Sequence, residues 1–446
     1  MSQISQVIKR SGAIVDFTPE RITNAIYRAA VAVGGRDRAT ADRLSKQVVT
    51  LLEDNNPPGH IPTIEEIQDL VEKVLIENGH AKVAKAYILY RNEQHINRQD
   101  RAIRASYPSE NIPWAKIWHV LDWAVLHGVD TIDGINQRIA DGEFPEIVHQ
   151  SEKAYKVDVE NAAEMITSRL SALKIVIITG PSSSGKTTTT NKVAQRLQHI
   201  GLNLVTLNVD NYFYDLAMHP KDEFGDYDFE TPQALNIPLI NEHLKKLIAG
   251  QEVKIPFYDF KTGKNYPDHT PMALKPDDII LIDSLHGLYP DMTEGISMEQ
   301  QFRLYLEPLL QMKDIAGDYI RWTDLRLMRR MLRDASHRAY DPQMTLLHWH
   351  YVRSSEMRHI IPRIGTADYI VNSGMPYELS LYRPRLFDQF SSWTNEFRDD
   401  PLREDAHTRA VRVEKILKAI SPVEDDSPVP TDSVLREFIG GSCYEQ

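Results

Sequence analysis

Residues 174–188 read KIVIITGPSSSGKTT. Ile175, Val176, Ile177 and Ile178 form a continuous β-branched run, the pattern of a strand buried on both faces. The run ends at Gly180, crosses a polar turn, and gives way to a helical pattern through Leu197. Strand, glycine-rich turn and helix thus frame Gly180-Pro-Ser-Ser-Ser-Gly185-Lys186-Thr187, which satisfies G-x-x-x-x-G-K-[ST]. Glycines at both ends let backbone N–H groups wrap an anionic phosphate, and the helix N-terminus adds favourable partial charge. Gly180, Ser182, Ser183, Ser184, Gly185, Lys186, Thr187 and Thr188 are the expected ATP-binding set. Within it Lys186 bridges the β- and γ-phosphates and the Thr187 hydroxyl ligates Mg²⁺. A cradle of this kind says nucleotide, not yet what is done with it.

Apolar or alternating runs follow at NLVTLNV, VKIPFY, DIILID, FRLYLE and DYIVNS, with helical stretches between several of them. Alternation of this kind predicts an α/β fold, a mostly parallel sheet with helices on both faces, over 173–384. Such sheets place their sites at the C-terminal strand edge. Asp283 at the tip of DIILID is there a candidate Mg²⁺ ligand, or an ordinary strand-end aspartate. Asp210, in LNVDNYFYD, follows the strand after the phosphate-loop helix. A carboxylate at that edge can accept the proton of an attacking hydroxyl. In RWTDLRLMRRMLRDASHR, Arg326, Arg329 or Arg330, and Arg333 recur at helical spacing and share a face. That face meets phosphates as a closing lid does, or it is a solvated basic face paired with Asp324 and Asp334. Tyr227, Phe229, Glu230, Tyr258, Asp259 and Phe260 combine aromatic faces with carboxylates, suited equally to a sugar or nucleoside and to a core edge. His348 and His350, two apart on a predicted helix, do not share a face and argue against a metal site.

Ahead of this region, residues 1–95 form a separate small unit: a hairpin from Ile4 to Phe17, then four helices. Thr18-Pro19 and Thr63-Ile-Glu-Glu66 are helix-start signals, the second with capping-box spacing. Residues 96–172 read as a mostly helical linker in which Trp114, Ile117, Trp118, Leu121 and Val125 recur as a packing stripe fixing the first unit to the second. Residues 385–446 carry a charged helix, the segment SPVEDDSPVP and a terminal SVLREFIGGS, expected to pack on the α/β domain.

Bulk composition excludes several classes. The net charge of −12 disfavours a broad nucleic-acid footprint. A single cysteine, Cys443, can form neither an internal disulfide nor a thiolate metal cage, which fits a reducing cytoplasm. The polar start MSQISQVIKRSG lacks a signal-peptide core, and no run of ~18 apolar residues predicts a membrane span. Mean hydropathy is −0.40.

GPSSSGKTT, VDNYF, YDFETPQAL, IPFYDFKTGK, IILIDSLHGLYP and TDLRLMRRMLRD, in that order, resemble the phosphoribulokinase/uridine kinase family over roughly 173–384. The resemblance implies a P-loop kinase that transfers phosphate from ATP, with Mg²⁺, to a small-molecule hydroxyl. Asp210 matches its catalytic base, and Lys186, Arg329 and Arg333 match its catalytic cations. Phe229, Glu230, Tyr258 and Arg326 match substrate-binding positions, and Thr187 with Asp283 the metal site. Asp283-Ser284 stands where the family usually has Glu-Gly, and Gly263 lies near a histidine that contacts the pyrimidine in uridine kinases. VIKRSG, DFTPERITNAI, TIEEIQDLVEKVL and AKAYILYR similarly make residues 4–95 resemble an ATP-cone, with Lys9, Arg10 and Arg21 at allosteric nucleotide positions. The implied protein is a nucleoside kinase tuned by ATP or dATP and assembled as a homo-oligomer; a kinase of another sugar or polyol, or a nucleotide-sensing regulator, are the alternatives.

Overall fold

The computed structural model describes residues 4–8, 14–55, 61–89, 111–220, 227, 230–337, 341–400 and 402–444, and divides into two compact units meeting near residue 110 of the sequence. In the first, β1 (Gln6–Ile8) and β2 (Ile14–Asp16) pair antiparallel with Val7 opposite Val15. Three helices follow, α1 (Pro19–Ala32), α2 (Arg38–Asn55) and α3 (Ile64–Glu77), and residues 81–89 form α4. Apolar positions three and four apart on these helices, among them Ile22, Ile26, Leu44, Val48, Val71 and Leu75, close one small core. The Thr63–Glu66 capping box is complete: Thr63 Oγ1 accepts from Glu66 N, and Glu66 Oε2 accepts from Thr63 N at 2.7 Å. Thr18 occupies the N-cap of α1, but its side chain makes no capping bond, leaving the start to Pro19.

The second unit opens with α5 (Trp114–Leu126), α6 (Ile132–Ala140) and α7 (Phe144–Ser168). These helices are not a bare linker. Tyr155, Val159, Ala162 and Ile166 of α7 share one core with the sheet residues Val176, Phe302 and Leu304. On α5, Trp114 and Trp118 are 55% and 64% exposed, and the residue that α5 buries is Ala124.

The remaining elements are β3 (Ile175–Thr179), α8 (Lys186–His199), β4 (Asn203–Asn208), α9 (Ile237–Ile248), β5 (Val253–Asp259), β6 (Lys264–Met272), β7 (Asp278–Ser284), β8 (Gln301–Glu307), α10 (Trp322–His337), α11 (Pro342–His359), β9 (Tyr369–Asn372), α12 (Glu378–Glu396), α13 (Glu404–Ala419) and α14 (Arg436–Ile439). Five strands form a parallel sheet in the order β4-β7-β3-β8-β9. β3 is buried at every residue, and its side chains alternate between two cores: Val176 and Ile178 join α7, α8 and the helices α10 to α13, whereas Ile175 and Ile177 join α9. VKIPFY departs from expectation. As β5 it leaves the parallel sheet and pairs antiparallel with β6, a strand whose polar, proline-bearing KNYPDHTPM is largely exposed. No helix among the described residues is long and apolar enough to cross a membrane.

Candidate active site

Parallel register brings Ile178, Asp283 and Asn208 side by side, so the loops after β3, β7 and β4 open at one sheet edge. The loop after β3 wraps tightly. Ser183 has φ +59° and Gly185 φ +91°, left-handed values that point successive N–H groups inward. A Cβ at Gly180 would sit 2.4 Å from Leu306 O, so only glycine lets the loop pass β8. Lys186 begins α8 and folds its Nζ onto Gly180 O at 3.0 Å and Pro181 O at 3.4 Å. Burial lowers its pKa, opposed by Asp283 and Glu437. Thr187 is exposed at the second helical position, Ser182 is half-buried, and Ser183 and Ser184 are buried with no hydrogen-bond partner for either hydroxyl. Behind the loop, Tyr155 and Thr189 share a hydrogen bond of 2.6 Å, and Ser373 Oγ donates to Ser184 O.

Two carboxylates face this cradle. Asp283 is held at the tip of β7, where burial pushes its pKa up to about 6, with Lys186 opposing and Glu437 and Asp210 adding to the rise; Thr190 Oγ1 lies 3.4 Å away. Asp210 lies exposed in a short 3-10 turn after β4, its backbone N–H bonded to Asn208 Oδ1 at 3.0 Å. Both act electrostatically on Lys186, as does Arg333. Carboxylates crowded beside a phosphate cradle are a donor set whose chemistry suits a hard divalent cation. Among the described residues no cluster of three His, Cys, Asp or Glu could hold a metal by itself, His348 and His350 included.

The arginines of α10 divide, against the expectation of one free face. Arg326 is fully buried: Nη1 and Nη2 lie 2.6 and 2.9 Å from the two Glu356 oxygens, Nε lies 2.9 Å from Glu307, and Nη1 also donates to Ser182 O. Arg329 is fully buried as well, held bidentately by Glu378 at 2.7 and 2.9 Å and donating to Ser373 O. Burial opposes these charges, but the carboxylates outweigh it and hold both pKa values above the ordinary guanidinium value. Arg326 and Arg329 therefore brace the phosphate loop from behind rather than meeting ligand as lid groups. Arg330 and Arg333, half-buried, face the site; Arg330 bonds Ser182 Oγ and Glu230, and Arg333 bonds Asp334 at 2.8 Å. Asp324 pairs instead with Arg412 of α13.

Across from the loop, Glu230 meets Arg330, and Ser355 Oγ donates to the Glu230 carbonyl. Tyr258 is buried among Phe213, His219 and Phe260. Next to it a cavity of about 160 Å³ is lined by Tyr212, Phe213, Asp215, Met218, Pro256 and Asn265. Gly263 turns with φ +67°, its carbonyl accepts from Leu216 N, and a Cβ there would meet Leu216 Cβ at 2.8 Å, so this position takes no side chain. Phe229, Lys9 and Arg10 lie outside the described residues; Arg21 is exposed on the first turn of α1. The residue that sequence reasoning missed is Glu437 of α14, whose carboxylate accepts from Thr188 N and Oγ1.

Comparison with known proteins matches the two parts of the chain separately. Residues 5–96 match the ATP cone domain, and residues 175–380 match the phosphoribulokinase / uridine kinase family. A uridine kinase from Deinococcus deserti is 27% identical over 205 residues, which is 45% of this chain and 87% of that protein. A uridine kinase from Borrelia turicatae is 28% identical over 211 residues, 47% of this chain and 91% of that protein. Uridine kinase-like protein 5 of Arabidopsis thaliana is 28% identical over 201 residues, 45% of this chain and 39% of its own length.

Proposed function

Starting from a chain whose residues 175–380 belong to the phosphoribulokinase/uridine kinase family and whose residues 5–96 are an ATP cone, we propose that this ATP-dependent kinase phosphorylates a hydroxyl of a nucleoside. The observation that carries the reading is the convergence of Lys186, Asp283 and Asp210 on one phosphate cradle, with Glu230 tied to that cradle through Arg330. ATP lies along Gly180–Thr188, with Lys186 released from its loop carbonyls to meet the β- and γ-phosphates. Mg²⁺ held by Thr187 and Asp283 supplies charge neutralisation of those phosphates when bound. Asp210 accepts the proton of the acceptor hydroxyl as its oxygen attacks the γ-phosphorus and the bond to the β-phosphate oxygen breaks. Arg333 and Arg330 stabilise charge on the moving phosphoryl group. Glu230 accepts from acceptor hydroxyls, and Phe229 and Tyr258 bound the acceptor pocket. Exclusion of a side chain at Gly263 leaves base selection to other residues, which favours an acceptor recognised mainly through its sugar.

In the same reading, ATP or dATP binds the cone through Lys9, Arg10 and Arg21 and changes kinase rate through a change of homo-oligomeric state. Transfer of labelled γ-phosphate from ATP across a panel of nucleosides, free sugars and polyols tests the acceptor. Product from nucleosides alone is expected; product from a sugar or polyol alone overturns the nucleoside assignment, and no product with any acceptor overturns the transfer reaction. Titrating dATP against rate and particle mass tests the cone, and no response in either rejects it.

A further inference from the structure

The first turn of α8 leaves its N–H groups without intrahelical partners, which is what makes a helix start an anion site. At Thr188, the third helical residue, that capacity is already used. Its N–H and its hydroxyl donate to Glu437 Oε2, at 3.2 and 3.0 Å, from a segment that lies beyond the family-matched kinase region. Glu437 is 5% exposed and close enough to Lys186 and Asp283 to act on both charges. Lys186 is likewise turned inward onto Gly180 O. The Thr188 donors and the Lys186 ammonium thus both find partners within the chain.

The segment that brings Glu437 there is built in. Val434, Leu435 and Phe438 are fully buried, the Arg329 guanidinium stands 4.9 Å over the Phe438 ring, and Asp432 pairs with Lys192 at 2.6 Å. Val434 closes on the cradle itself: a Cβ at Gly185 would lie 2.3 Å from Val434 Cγ2. Peeling three buried apolar side chains from the core costs far more than turning one carboxylate. The segment therefore stays while the Glu437 side chain can move.

We propose that residues 432–438 form a wall of the nucleotide site and that Glu437 is a resident anion holding the place of a nucleotide phosphate on the Thr188 donors. This rests on the P-loop being the ATP site. A phosphate oxygen arriving at Thr188 meets a carboxylate of like charge, so nucleotide must displace Glu437, and the carboxylate sets the affinity. Its charge also disfavours nucleotides that bring no compensating cation, making the site prefer the Mg²⁺ complex.

The test uses the full chain and reads the kinase site alone. Hydrogen exchange of the peptide spanning 180–190, titrated with MgADP, gives a dissociation constant for the cradle independent of any binding at the cone. Glu437→Gln keeps the shape and removes the charge. Binding about tenfold tighter is expected, because one like-charge contact at partly buried range is removed. Glu437→Asp, which withdraws the carboxylate by one methylene, should move affinity the same way by less, and serves if the glutamine variant does not fold. Unchanged or weaker binding in a folded variant overturns the inference, the second result making Glu437 a plain helix cap. Absence of MgADP protection in wild type and variants alike overturns the nucleotide reading of the cradle, and the inference with it.

Discussion

Arg330 and Glu230 are paired at 3.1 Å, and the same guanidinium nitrogen lies 3.2 Å from Ser182 Oγ of the phosphate loop. One half-buried side chain thus ties the donor cradle to the residue expected to hold the acceptor. Replacing Arg330 by Ala should lower kcat/KM for the acceptor about 10²-fold, the scale of losing one preorganised charge donor. Lysine should recover only part of it, since a single ammonium cannot also supply the contact that Arg330 Nε makes with Asp334 at 3.4 Å. Because the pair is partly solvated, the stability change should stay near 1 kcal/mol or below. Steady-state kinetics beside thermal unfolding separate the two effects, and a large drop in Tm with unchanged kcat/KM would move Arg330 from the site to the scaffold.

Arg329 should behave in the opposite way. Its guanidinium is fully buried against Glu378, and cutting it to alanine leaves that buried carboxylate without a counter-charge, with only the Tyr382 hydroxyl and Met375 N still donating to it. The expected loss is about 3–5 kcal/mol of stability. Chemical denaturation of Arg329→Ala against Arg329→Met/Glu378→Gln measures it, with the double variant recovering much of the loss. A stable Arg329→Ala protein with abolished turnover would return this residue to the ligand-facing lid.

The contrast between those two arginines marks where sequence reading stops. A helix from Trp322 to His337 and the spacing of its basic residues follow from 3.6 periodicity. What they face does not, because Glu356 and Glu378 come from 30 and 49 positions away, on other helices. The position of Asp283 at the C-terminal edge of the sheet was readable because it ends an apolar run, and a buried parallel strand carries its last residues to that edge. β6 was not, since Pro267, Pro271 and an exposed polar face hide a strand that only its partner β5 makes. Glu437 was hidden for a related reason: SVLREFIGGS reads as a tail, and only the fold carries it to Thr188.

His286, just past Asp283, is 4% exposed, and burial pushes its pKa down to about 3, with His359, Lys186 and Arg363 adding to the fall. The folded chain therefore stays neutral there while the unfolded chain takes up a proton below about 6.5. With more protons bound in the unfolded state, stability falls as pH drops from about 6.5 toward 3, by about 1.4 kcal/mol per unit for this one group. At pH 5 the share due to His286 is about 2 kcal/mol. Denaturation midpoints of wild type and His286→Leu, compared at pH 7.5 and pH 5, should show a smaller acid loss in the variant. Equal losses would mean that His286 is protonated in the fold.

Asp210 carries the chemical step in the proposed reaction, and its placement makes the consequence of removing its charge specific. It stands exposed in the turn after β4, outside the Gly180–Thr188 loop, with its backbone rather than its carboxylate bonded to Asn208. Asp210→Asn should accordingly leave the cradle's hold on MgATP within about twofold, since no phosphate-binding group is altered and one nearby negative charge is gone. The loss of a positioned general base should lower kcat by about 10²–10⁴-fold with little change in KM for ATP. Single-turnover transfer to the acceptor found in the panel, run beside nucleotide binding by wild type and variant, reads both quantities. Retained turnover would show that the hydroxyl gives up its proton without Asp210. Loss of turnover together with loss of binding would show that the residue organises the nucleotide site instead.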